Sequence, residues 1–259
     1  MFWNNKSINV LVNSSIVEYD IKSGNTSVMR QFQLTDENEI SRIESLAKKD
    51  RVIAVGNMMK DKDFSKALES GFNTVVDEFL KKNNLDRDDD VLMIMRDAVF
   101  VIVKPIQYQD IGSCHFRPKG SYSGFLRCSP YEFLVASDHI DVKGMKDEDL
   151  DLHKNGVLQM IRDVYDACSE YHMDTIKISQ YLKELLVAYK EKALPLDYYR
   201  EFNSTGKFKL IYDSHDIMMD SITEEDLPEL SIDYNYVKII LPLALLSRIY
   251  SFQGQESVS

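Results

Sequence analysis

Glycine and proline are scarce in this chain, ten and six among 259 residues. That scarcity excludes long linker-like or low-complexity tracts and leaves only Gly254–Ser259 reading as a loose tail. Cysteine is sparse too. Cys114, Cys128 and Cys168 have no paired or C-x-x-C spacing, which argues against disulfides or zinc and for buried thiols in a reducing compartment. The most apolar run, Val237–Leu246, is about half of what a membrane span requires, and Met1–Val10 has no apolar signal-peptide core. Basic residues are outnumbered, with a formal charge of -11. A broad non-specific polynucleotide coat needs a Lys/Arg surplus and is excluded; a local basic groove is not, and clustered acids are also what hold Mg²⁺. The chain carries no Gly-rich phosphate loop, no H-E-x-x-H and no nucleophile elbow, and its five histidines are scattered. A soluble cytoplasmic protein without a membrane partner is expected.

What is present suits a packed core. Hydrophobic residues make up 44% of the chain, enough for one large domain or two small ones. Ser7–Val12 and Ser15–Ile21 alternate apolar and polar residues around Asn13–Ser14, which predicts a hairpin. A helix is expected from about Ser23 to Phe32, and a second over Glu37–Lys49 with Thr35 as its cap. Phe64, Leu68, Phe72, Val75, Val76, Phe79 and Leu80 recur at spacings of three and four, giving the strongest helical pattern. Val91–Val103 reads as strand, tight turn and strand. Short strands separated by turns follow from Ser113 to Val142, in the segments CHFRP, YSGFLRC, YEFLVAS and HIDV. After Gly144 the texture turns helical over Asp147–Tyr171 and Asp174–Lys192, and Phe208–Tyr212 and Tyr236–Leu241 read as strands.

Two acids stand out. Asp20 ends a predicted strand and a helix follows it; Asp97 sits at the tight turn of 91–103. Carboxylates on neighbouring strand tips can bracket Mg²⁺ ions, and a helix starting beside them aims free backbone N–H groups at an anion. Each acid also has a plainer reading. Asp20 serves as a helix cap, and Asp97 as an ordinary turn residue, although hairpin turns favour Asn-Gly or Asp-Gly over Arg96-Asp97.

With these residues in view, the chain resembles the palm of family B DNA polymerases. Asp20-Ile-Lys-Ser-Gly-Asn-Thr-Ser27 is similar to that family's first motif, with Asp20, Ser23 and Ser27 in matching places. Met93-Ile-Met-Arg-Asp97-Ala-Val-Phe-Val resembles the later hairpin motif, with Asp97 on its second aspartate. Lys119-Gly-Ser-Tyr122 resembles the basic-plus-tyrosine segment after the hairpin, and Lys143-Gly144 the pair that leads into the thumb.

The resemblance implies an α+β fold, an antiparallel sheet backed by helices, followed by a helical thumb-like region. Residues 1–145 would form the palm, 146–205 the thumb-like helices, and 206–259 a segment of unassigned structure. It implies a minimal template-dependent nucleotidyltransferase using two Mg²⁺ ions, with Mn²⁺ as a substitute. Asp20 and Asp97 would be the catalytic and metal-binding acids. Ser23, Asn25 and Lys66 would meet the nucleoside triphosphate, and Arg96, Lys119, Tyr122 and Lys143 the primer-template.

Several positions depart from the pattern. Met95 and Arg96 replace the hairpin motif's first aspartate and its threonine, and Asn25 and Thr26 stand where Tyr and Pro are usual. Only Gln31–Asp63 is left for fingers, Lys66 is a loose counterpart of the family's triphosphate lysine, and no exonuclease domain is expected. Arg96 contacts a phosphate or replaces one metal by pairing with the carboxylates. The alternative reading is therefore a catalytically reduced palm that binds nucleic acid or protein, with a partner protein supplying fingers.

Overall fold

Two apolar strands joined by a two-residue turn form the centre of the first sheet. They are β4 (Val91–Met95) and β5 (Ala98–Ile102), with Met95 opposite Ala98 across Arg96-Asp97. On one side β4 pairs with β1 (Phe2–Asn4); on the other, β5 pairs with β3 (Ile16–Ile21). The sheet continues through β7 (Cys114–Tyr122) to β6 (Asp110–Ile111), giving the order β1-β4-β5-β3-β7-β6, antiparallel throughout. The computed structural model describes residues 2–128, 131–144, 147–195, 207–209, 216–218 and 225.

Four helices follow β3 or precede β4: α1 (Gly24–Phe32), α2 (Glu37–Ser45), α3 (Lys48–Met58) and α4 (Lys62–Lys82). The predicted stripe of α4 is its buried face; Leu68, Phe72, Val75, Val76 and Phe79 are all essentially inaccessible. They pack with Tyr19, Ile21, Val99 and Phe116 of the sheet, where Phe79 stacks on Phe116 at 4.0 Å between ring centres. Asp61 caps α4 by accepting the N–H groups of Asp63 and Phe64.

The expected helix over 37–49 is two helices, because Leu46 and Ala47 are extended. Its cap is Asp36, not Thr35: the Asp36 carboxylate accepts from Glu39 N–H at 2.9 Å. The unexpected helix α3 lacks a pronounced apolar stripe, and Val52 and Ile53 on it are 64% and 53% exposed.

The second unit has a four-stranded antiparallel sheet in the order β10-β9-β8-β2, from β2 (Val10–Leu11), β8 (Gly124–Cys128), β9 (Tyr131–Val135) and β10 (Ile140–Lys143). Its helices are α5 (Asp147–Glu170) and α6 (Thr175–Lys190). The core joins Leu126, Phe133 and Val135 to Met160, Val164 and Leu182.

The two compact units are Met1–Ile8 with Ser14–Tyr122, and Asn9–Asn13 with the chain from Ser123 onward. The division therefore falls at Tyr122/Ser123, upstream of the position near 145 expected from the helical texture. The expected hairpin of 7–12 with 15–21 does not form. Val10 and Leu11 pair with Leu126 and Phe125, while Ile16–Ile21 belongs to the other sheet. Asn13, in the left-handed region with φ 50, lies at this switch, and Asn13 N–H donates to the Tyr165 hydroxyl at 3.4 Å.

Beyond α6, β11 (Lys207–Lys209) pairs with β12 (Asp216–Met218). Of the two late strands expected, Phe208–Tyr212 overlaps β11, and Tyr236–Leu241 lies outside the described residues. Among the described residues, no helix is long and apolar enough to cross a membrane.

Candidate functional site

The alternation of β3 sorts its side chains by chemistry. Tyr19 and Ile21 point into the helix-backed core, so Glu18 and Asp20 share the opposite face. Asp20 lies directly between Ala98 of β5 and Arg117 of β7. Asp97 occupies the neighbouring hairpin turn, and its carbonyl accepts the N–H of Ile21 at 3.0 Å. The backbone thus ties the two acids to one end of the sheet.

Their charges are coupled. Burial raises the Asp20 pKa first and the charge of Asp97 raises it further, with a smaller push from Glu18; Lys119 and Arg117 pull it down. The Asp20 side chain is 17% exposed, and Arg117 Nη2 stands 3.8 Å from its Oδ2. Asp97 makes no side-chain hydrogen bond or ion pair among the described residues.

Gly24 opens α1 beside Asp97. A Cβ at Gly24 would stand 2.9 Å from Asp97 Oδ2 and 3.1 Å from Asp97 Cβ, so glycine makes room for the carboxylate. Ser23 precedes α1 in the left-handed region (φ 52) and gives the helix no side-chain cap. Its carbonyl instead accepts from Thr26 Oγ1 and Ser27 N–H.

Arg96 holds the first position of the turn at φ 58, a conformation that suits glycine. Its guanidinium turns to α1, to α4 and to Met59 just past α3. It donates to Asn25 Oδ1 at 3.0 Å and to the Met59 sulfur at 3.7 Å, and lies 4.9 Å from the centre of the Phe72 ring. It forms no ion pair with either acid, so the expected pairing of Arg96 with the carboxylates is not what the structure holds.

Lys119 and Tyr122, expected along a nucleic-acid groove, both converge on Glu18. The Lys119 ammonium donates to Glu18 Oε1 at 2.8 Å and the Tyr122 hydroxyl to Oε2 at 3.1 Å. Tyr122 is 4% exposed, and a Cβ at Gly120 would crowd its hydroxyl at 2.6 Å. Lys66 is exposed on α4 without a partner among the described residues. Lys143 belongs to the second unit, opposite Glu132 in the β10–β9 register. The structure therefore gathers Asp20, Asp97, Ser23, Asn25, Arg96 and Lys119 around the end of β3, and leaves Lys143 on another sheet.

Sequence reasoning missed Glu18, Arg117 and Gly24. Glu18 was legible as a second acid two positions before Asp20, on the same strand face. Arg117 was not, because only the β3–β7 register sets it against Asp20.

Two adjacent carboxylates suit Mg²⁺, which keeps several waters and takes one or two protein carboxylates plus phosphate oxygens. The clearance at Gly24 and the free Asp97 carboxylate fit that use. Among the described residues, no group of three or more His, Cys, Asp or Glu side chains is arranged to hold a metal by itself. Comparison with curated proteins finds no match. The chain belongs to the family described as Bacteriophage PBS1 gene 130 protein, which matches residues 1–246.

Proposed function

We propose that Met1–Ile8 with Ser14–Tyr122 is a polymerase-like palm, and that the protein is a minimal template-dependent nucleotidyltransferase. The observation that carries this reading is the coupling of Asp20 and Asp97 at the tips of β3 and the β4–β5 hairpin, through the Ile21–Asp97 backbone hydrogen bond. The start of α1 lies beside the pair, with Gly24 at Asp97 and no side-chain cap from Ser23. Its first amides are then available to a triphosphate, where the helix dipole favours an anion.

Asp20 and Asp97 would hold Mg²⁺ or Mn²⁺, which supplies Lewis-acid polarisation of a phosphoryl oxygen when bound. Burial first, and then the charge of Asp97, disfavours the ionised form of Asp20, so a cation there relieves its repulsion with Asp97. Asn25 is fixed by Arg96, Lys66 is free to reach a phosphate, and α5 and α6 act as thumb-like helices. Template and primer would run along the basic strand β7, with fingers supplied by a partner protein.

The test is primer extension with dNTPs and NTPs in Mg²⁺ or Mn²⁺, repeated with Asp20→Ala and Asp97→Ala. Incorporation that both substitutions abolish is expected. Incorporation that survives them would overturn the assignment.

One observation favours a second reading. Arg117 and Lys119 already stand beside the acids, as they would in a reduced palm kept for binding. That reading expects primer-template or protein binding without incorporation, unchanged in Asp97→Ala.

A further inference from the structure

We infer that Arg96 is a positioning residue: its guanidinium locks the β4–β5 turn onto the start of α1 and so fixes the Asp97 carboxylate for a cation. The inference rests on the reading of Asp20 and Asp97 as a cation site, and it concerns what holds one of those acids in place.

The starting point is a residue in a backbone conformation that does not suit it. Arg96 has φ 58, and of the two turn residues it alone has a positive φ. A hairpin turn of that form favours glycine at its first position, where a Cβ is a burden. Such strain persists only when the surroundings hold it, and it gathers at functional sites. Glycine at 96 would relax the turn, but it would give up every contact the side chain makes.

Those contacts join the turn to the helices. Arg96 Nη2 donates to Asn25 Oδ1 at 3.0 Å and to the Met59 sulfur at 3.7 Å. The guanidinium lies 4.9 Å from the centre of the Phe72 ring, which is 1% exposed and so a fixed platform. The same ring reaches the helix start, where a Cβ at Gly24 would stand 3.3 Å from Phe72 Cε1 and 2.9 Å from Asp97 Oδ2. Turn and helix therefore meet residue for residue, Arg96 against Asn25 and Asp97 against Gly24.

Asp97 needs this support. Its carboxylate makes no side-chain hydrogen bond or ion pair among the described residues. Its carbonyl accepts from Ile21 N–H, which ties the turn to β3 but not to α1. The Arg96–Asn25 hydrogen bond supplies the second tie. Outer groups that orient a metal ligand are worth about 10–100-fold in metal affinity. A charge acting through space would have the opposite sign, because a guanidinium repels a cation and its loss tightens binding.

The experiment measures Mn²⁺ affinity of the full chain without nucleotide, by the electron paramagnetic resonance signal of the free ion. Wild type is expected to bind Mn²⁺, and Asp97→Asn to lose it. Arg96→Gly should bind about tenfold more weakly while staying folded by circular dichroism. Asn25→Ala removes the acceptor, keeps the charge, and should weaken binding in the same direction. The two together should cost no more than Arg96→Gly alone, because they act as one unit. Low millimolar guanidinium should restore binding to Arg96→Gly where sodium chloride does not; a merely destabilised variant would be loosened further by this denaturant. An affinity unmoved or tightened in folded Arg96→Gly, or weakened without rescue, would overturn the inference and leave the cation-site reading standing. No binding by wild type, or binding untouched by Asp97→Asn, overturns the underlying reading and the inference with it. If Arg96→Gly fails to fold, Asn25→Ala decides, and an unmoved affinity there overturns the inference.

Discussion

Asp20 is held in a place that disfavours its charge. Its pKa is raised in the folded chain, so the native state binds that proton more readily than the unfolded state. Stability from this group therefore falls as pH rises from the ordinary carboxylate range through the raised value. Asp20→Asn should raise the melting temperature by about 2–4 °C at neutral pH. The gain should shrink as pH falls and vanish below pH ~2.5, where the carboxyl is protonated in both states. Melts across that pH range check it; a variant less stable than wild type at pH 7 contradicts the strain. The cysteines give a second residue-scale expectation. Cys114, Cys128 and Cys168 are all buried, and burial pushes the Cys114 thiol up to about 11 and Cys128 up as well. Because the thiolate is the reactive form, a disulfide reagent should titrate none of them within minutes in native protein and all three in denaturant.

Elements here are placed by close approach as much as by apolar area. At Gly71 of α4, a Cβ would stand 2.6 Å from Val28 Cγ1 and 2.9 Å from Phe32 Cδ2 of α1. Alanine would add helix propensity worth up to ~1 kcal/mol, but the overlap costs about 1–3 kcal/mol. Val28 is β-branched, stiff in a helix and fully buried, so it does not yield cheaply. Gly71→Ala should therefore lower the melting temperature by a few degrees, read by circular dichroism at the helical band. This crossing matters to the site because α1 carries Ser23, Gly24 and Asn25 at its start. Periodicity revealed α4 clearly, yet nothing local marked Gly71 as a contact point. It also missed α3, whose sequence gives no pronounced apolar stripe to follow.

At the scale of the whole molecule, a charge of -11 limits how any polynucleotide is held. The cations assigned to such contacts are few: Arg117, Lys119 and Lys143. Each phosphate neutralised adds about -0.9 to the slope of log K against log salt, so the slope should be no steeper than about -3. Fluorescence anisotropy of a labelled primer-template from 50 to 200 mM salt, roughly the range over which such effects are large, measures it. A much steeper slope would mean that other basic surfaces carry the binding. The two-unit organisation was only partly legible. The shift to helices after Gly144 was plain, but the boundary at Tyr122/Ser123 was hidden inside what reads as one continuous strand segment, YSGFLRC.

The sequence by itself determined what repeats locally: the stripe of α4, the hairpin around Asp97, the helix after Asp20 and the two late helices. Each is written in spacings of two, three or four residues, which fix a buried face without reference to distant partners. Tertiary structure alone decided what depends on register. Val10–Leu11 joined the second sheet, Arg96 turned to Asn25, and an unpaired residue in β7 brought Lys119 to Glu18, 101 positions away. Strand pairing joins residues far apart in the chain, and a one-residue slip changes which side chains meet, so the partners of Asp20 became visible only when β3, β5 and β7 were aligned.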